Sequence, residues 1–186
     1  MVIGALKATY DIVEHKHRFA AWAGSRAAST KTCRFDVSTG RAIIEAVGLH
    51  DLLAAPVLLP TPEKIDEMHS VWRETAIFEA EAKGLRCFGH GVAAKLINVY
   101  LKGAFVCAGH EWHPNVKALH PPIDSLLLNE LYRLDVGGLR ATWKTARKQR
   151  WSMFDSPQYQ RVIEAIRAVS DGRPMWMVET HWRGFQ

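Results

Sequence analysis

The stretch from Phe88 to Lys102 constrains this chain most. Gly84, Gly89 and Gly91 punctuate a short turn that closes one helical pattern and opens another. Past the turn, Val92, Leu96, Val99 and Phe105 recur at helical spacing. Glycine lets a backbone turn tightly and come close to a ligand. Free N–H groups at the start of the following helix then form a site for an anion. Lys95 lies one turn into that helix.

A second informative stretch runs from His120 to Leu131. Pro121 and Pro122 break the chain, and Asp124 stands where it can cap the exposed N–H groups of a new helix. Together the two segments resemble the helix-hairpin-helix superfamily of DNA glycosylases. In that family a G-V-G-x-K hairpin is followed by A-N-V-V-L and then by a P-x-V-D-T-H-V helix. Here Gly91-Val92-Ala93-Ala94-Lys95 stands for the hairpin, Asn98-Val99-Tyr100-Leu101 follows at the matching offset, and Pro122-Ile123-Asp124-Ser125-Leu126-Leu127 stands for the Asp segment. The resemblance spans roughly positions 84 to 134, within a hairpin region of about 62–103 and an Asp-bearing helix of about 122–132. Two departures stand out. Ala93 replaces the second hairpin glycine. Lys95 and Asp124 are 29 positions apart, more than the family's usual spacing. The additional residues, Gly109 to Asn115, read as an inserted loop, and archaeal 8-oxoguanine glycosylases share such a long gap.

The resemblance implies a definite set of roles. Lys95 would be the amine nucleophile and Asp124 the carboxylate that stabilises positive charge on the sugar. The partner would be double-stranded DNA carrying a damaged or modified base, 8-oxoguanine first, and the strand would also be nicked (AP-lyase activity). The hairpin residues Gly89, His90 and Gly91, with Lys102, would hold phosphates.

Composition agrees with such a partner without demanding it. At 186 residues the chain is most simply one domain, 1–186, with room for a proper core. A net charge of +5 suits a polyanion. Cys33, Cys87 and Cys107 form no C-x-x-C pair and cannot supply the four thiolates of an iron–sulfur cluster, so no metal or cofactor is expected. No secretory pattern and no long apolar span is evident in the sequence, so a cytoplasmic monomer without membrane contact is expected.

Along the chain, Thr9 to Ala28 reads as a helix capped by Thr9 or Asp11. Ile12, Phe19, Trp22 and Ala23 form its apolar face, with Glu14, His15, His17 and Arg18 in solvent; in the alternative reading, Trp22 or His17 touches an extruded base. A second helix spans Ser38 to Val47 and ends at Gly48. Asp51 to Pro60 reads as a short helix and a buried connection. Thr61-Pro62-Glu63 reads as a helix start. That helix would run to Lys83 with Ile65, Met68, Val71 or Trp72, Thr75 and Phe78 along one face. After a turn at Asp135–Gly138 comes the most basic run, in which a helix gathers Lys144, Arg147 and Lys148. It reads equally as a phosphate track or as a solvated face. Ser156-Pro157 starts a helix ended by Asp171-Gly172, and the tail from Pro174 to Trp182 reads as a strand-like edge or a last helix closing the pocket. The fold class is therefore all-α: a compact bundle of seven or eight helices containing a helix-hairpin-helix motif.

Breaking an N-glycosidic bond needs an extruded base held in a pocket, a carboxylate beside the cationic sugar and a nucleophile at the anomeric carbon. Lysine serves as nucleophile only where burial or neighbouring cations lower its pKa. Trp22, Trp112 and Trp182 are the candidate base-pocket walls. Two other classes compete. One is a non-catalytic DNA-binding module that keeps the hairpin. The other is a metal-dependent hydrolase using His110, His113 and His120, although these lack the H-E-x-x-H helix pattern.

Overall fold

A computed structural model describes residues 11–184. Eight α-helices carry the described chain: α1 Ile12–Ala28, α2 Val37–Ala46, α3 Ile65–Ala82, α4 His90–Leu101, α5 Pro114–Lys117, α6 Ser125–Arg133, α7 Arg140–Gln149 and α8 Ser156–Ser170. Short 3-10 turns fill several connections, and no strand occurs among the described residues. The all-α reading holds.

The helix ends follow local chemistry. Asp11, Asp36, Asp124 and Asp155 cap α1, α2, α6 and α8 by accepting backbone N–H groups. Thr9 lies outside the described residues. Gly84 stops α3 in the left-handed region, at φ 80°. Thr61-Pro62-Glu63 forms a turn instead of a first helical turn, and α3 begins at Ile65.

α4 is the centre of the fold. Its apolar residues divide between two cores. Val92, Ala93, Leu96, Ile97, Tyr100 and Leu101 pack with α1, α2 and α3, whereas Ala94 packs with α6, α7 and α8. The helix continues past Leu101 as a wider π-wound segment, Lys102–His110, whose helical path is broken near its end by Gly109 at φ 86°. His90–His110 is therefore long and apolar enough to cross a membrane by length and composition, contrary to the sequence reading, but 67% of its most apolar window is buried inside the fold. A helix covered on all sides is apolar all round for that reason alone. The residues read as an inserted loop are largely structured. The π-wound segment runs to a kink at Gly109, α5 follows, and the Asn115 amide donates to the Leu59 carbonyl at 2.9 Å.

Two helices turn faces that the apolar pattern does not show. In α1 the buried residues are His17, Ala20, Ala21, Gly24, Ser25 and Ala28, while Ile12, Phe19 and Trp22 are exposed. Small residues let α1 lie close against α4. A Cβ on Gly24 would come within 2.8 Å of the Leu96 carbonyl oxygen. His17 is not in solvent; it bonds the Tyr100 hydroxyl at 2.9 Å and Glu45 at 3.1 Å. In α3 the buried face is Ile65, His69, Trp72, Arg73, Ala76 and Ala80, and Met68, Val71 and Phe78 are exposed.

A buried polar network explains the polar members of that face. His69 bonds the Asn98 side chain at 2.7 Å, and the Asn98 amide donates to the Tyr159 hydroxyl and to the Pro121 carbonyl, each at 3.0 Å. His120 joins Tyr159 at 3.0 Å to Asp66 at 2.8 Å. Such interior hydrogen bonds specify one packing arrangement because any unmade bond is costly. This network ties the Pro121–Asp124 segment to α4.

Candidate active site

Lys95 and Asp124 meet beside α4. The Lys95 ammonium nitrogen donates to Asp124 Oδ2 at 3.0 Å, with side chains only 8% and 18% exposed. Each is held by its own element. Lys95 projects from the middle of α4, between residues of the two cores. Asp124 caps α6, accepting the Leu127 N–H at 2.9 Å through Oδ1, which leaves Oδ2 for Lys95 and for the Trp182 indole N–H at 2.9 Å. The capping role and the charge role thus use different oxygens of one carboxylate.

Burial pushes the Lys95 amine below the ordinary lysine range, against the upward pull of Asp124. Burial also pushes Asp124 up, but the Lys95 charge, the Leu127 amide and the Trp182 indole outweigh it and hold the carboxyl below its usual range. Burial thus brings the amine closer to its uncharged form, while the ionised carboxylate beside it works in the opposite direction.

The pair opens into a cavity of about 470 Å³, walled by Phe19, Val99, Trp151 and Trp182 with Lys102 and Glu179 at its polar end. That volume lies within the range of small-molecule sites. Lys95 Nζ stands 5.8 Å from the centre of the Trp151 ring, and Lys102 Nζ stands 5.9 Å from that of Trp182. Lys102 forms an ion pair with Glu179. Burial raises the Glu179 carboxyl, against the pull of Lys102.

The other residues singled out in the sequence are dispersed. Trp182 lines the cavity, but Trp22 does not. Trp22 is half-exposed and packs against Phe19, which does line it. Trp112 is 60% exposed and meets Trp176 and Lys117 instead, with neither of them in the cavity wall. Lys102 is not a free phosphate ligand, because Glu179 engages it. The Gly91 N–H is not free either, because it donates to the Phe154 carbonyl at 3.2 Å. Gly91 serves close packing: a Cβ there would lie 1.9 Å from the Trp151 carbonyl oxygen. Gly89 precedes α4 as its cap residue, and His90 is half-buried, with burial lowering its pKa. Lys144, Arg147 and Lys148 are exposed on α7; Arg147 donates to Asn129 at 2.6 Å and lies 4.4 Å over Tyr132.

The three histidines do not converge. His120 is committed to Tyr159 and Asp66, His113 caps α5, and His110 packs near Phe105. Among the described residues no three His, Cys, Asp or Glu side chains stand where they could hold one metal ion.

Glu179, Trp151 and Phe19 are cavity residues that sequence reasoning missed as such. Trp151 closes the basic run and Glu179 sits in the apolar tail, and neither position is marked by spacing. The only signal was the mixture of polar and aromatic residues in a tail predicted to close the pocket, which its 3-10 turn Met175–His181 does. Comparison of the chain with protein-family models, with curated proteins and with solved structures finds no match in any of the three.

Proposed function

We propose that this protein is a DNA base-excision glycosylase with AP-lyase activity, acting through Lys95. The observation that carries the reading is the Lys95–Asp124 pair, 29 positions apart in the chain and 3.0 Å apart in space, at the wall of an aromatic cavity. An extruded base fits between flat aromatic walls, which offer stacking. The uncharged Lys95 amine attacks the anomeric carbon of the sugar as the glycosidic bond breaks. The base departs with the bonding pair and takes up a proton. Asp124 stabilises the positive charge that develops on the sugar, and Oδ2 is placed to accept the proton that the attacking nitrogen sheds. Opening of the sugar ring gives an imine between Lys95 and the strand. Loss of a C2′ proton then expels the 3′-phosphate and nicks the DNA. Oxidised guanine is the base that the sequence resemblance favours.

Borohydride trapping tests this. The protein, incubated with duplexes each carrying a single lesion such as 8-oxoguanine, should form a covalent adduct on reduction. Lys95→Gln should lose both adduct and nick while still binding the duplex. An adduct of normal yield with Lys95→Gln would refute the assignment.

A further inference from the structure

A second cavity, about 670 Å³, is a groove at the turn between α1 and α2. It is lined by Arg26, Lys31 and Arg34, with Ser29, Thr30 and the helix-capping Asp36. The three cations are exposed, and none of them is in an ion pair among the described residues. Ser29 and Thr30 are already engaged. Their hydroxyls accept the Phe35 and Cys33 N–H groups at 3.2 and 3.0 Å and hold the turn in shape. Asp36 is likewise occupied, accepting the Thr39 N–H at 2.8 Å.

Two contacts place this groove next to the Lys95 site. Phe19, Ala23 and Ala27 of α1 wall the Lys95 cavity, and Arg26 follows Ala23 by three residues, hence on the same side of the helix one turn on. In addition, Phe35 of the turn packs on Phe88, just before the hairpin glycine Gly89, at 5.5 Å between ring centres. Exposed Arg86 lies on the hairpin turn itself. The groove and the Lys95 cavity therefore meet at the C-terminal half of α1, where Arg26 lines the one and Ala27 the other.

The geometry points to the α1–α2 groove as the main backbone clamp, in which Arg26, Lys31 and Arg34 hold phosphates of the DNA strand next to the nucleotide drawn into the Lys95 cavity. This rests on the DNA partner of the proposed function and locates where that partner lies. Several of the residues assigned from sequence are less available to hold phosphates, although Lys144 and Lys148 are exposed on α7. Lys102 is paired with Glu179, the Gly91 amide is bonded, and Arg147 is held by Asn129 and Tyr132. Clustered cations without an ion-pair partner among the described residues fit a phosphate track, since phosphate contacts position a duplex without reading its sequence.

The test is the salt dependence of binding to a duplex containing a tetrahydrofuran abasic-site analogue, followed by fluorescence anisotropy. Each phosphate contact contributes about 0.9 to the slope of log affinity against log salt, so replacing Arg26, Lys31 and Arg34 together by Ala should lower the slope by about 2 to 3. The charge-preserving R26K, K31R and R34K triple should keep the parent slope. A thermal melt of the Ala triple by circular dichroism matching the parent's shows that its loss is not a folding defect. If the Ala triple keeps the parent slope, the groove is not the clamp. The two readings fail separately. A parent protein that binds with the expected slope change but never forms a borohydride adduct leaves the groove standing and overturns the glycosylase reading. An adduct with an unchanged slope overturns the groove alone.

Discussion

Replacing Asp124 by Asn separates the two roles of this carboxylate. Asn caps helices about as well as Asp, so the capping loss should be a few tenths of a kcal/mol. What disappears is the negative charge 3.0 Å from Lys95. Without it, the buried amine is left with only the more distant pull of Glu179 and should give up its proton more readily. A lysine in the unfolded chain titrates near 10.4, and each unit costs about 1.4 kcal/mol, so keeping Lys95 neutral at pH 7 costs at most about 4.6 kcal/mol. The sign follows from linkage. The variant's folded Lys95 pKa lies below the parent's, so between the two values the native variant has shed a proton that its unfolded chain retains, and its stability rises with pH. The stability gap between parent and variant should therefore be widest below both values and narrow by about 1.4 kcal/mol per pH unit between them. Urea denaturation followed by circular dichroism from pH 7 to 10 measures this. In single-turnover excision, the midpoint of the pH profile should move to lower pH. The plateau should fall about a hundredfold or more, as for loss of one charge-stabilising group. A gap that stays constant with pH would refute the claim that burial against Asp124 controls the Lys95 proton, and an undiminished plateau would refute the role of Asp124 in charge stabilisation.

Other outcomes follow from the cavity walls. Trp151→Ala and Trp182→Ala should each lose base release, measured on a lesion duplex, whereas Trp112→Ala should excise at the parent rate because it lies outside the cavity; the reverse pattern would place the base elsewhere. Gly91→Ala should destabilise the fold by about 1 to 3 kcal/mol, as overpacking does, because the new methyl meets backbone at Trp151 and not a side chain that can swing aside. A urea midpoint equal to the parent's would show that the Trp151 turn yields freely.

The helical character of the chain, most of its helix ends and the two residues at the centre of the site are legible in the sequence. Those features are local. An Asp before an apolar run caps a helix wherever the run packs, and Gly84 ends α3 because few other residues accept a positive φ at little cost. Lys95 and Asp124 are legible because each sits at a marked position in a short pattern. Which face of a helix is buried is a different matter. α1 lies against α4 through Ala20, Ala21, Gly24 and Ala28, residues too small to dominate an apolar pattern, and this turns Phe19 outward to become a cavity wall. α3 buries His69 and Arg73, whose polarity is met in part by Asn98, Tyr159 and Ser156 from distant parts of the chain. Tertiary packing sets those faces, because burial energy depends on what the opposite surface offers, and a close helix crossing favours small side chains where a distant one favours large. It also sets the electrostatics of the site. The Lys102–Glu179 pair, the Trp182 bond to Asp124 and the packing of Trp151 over Lys95 join residues from α4, α6, the turn after α7 and the tail, and no spacing along the chain encodes that meeting.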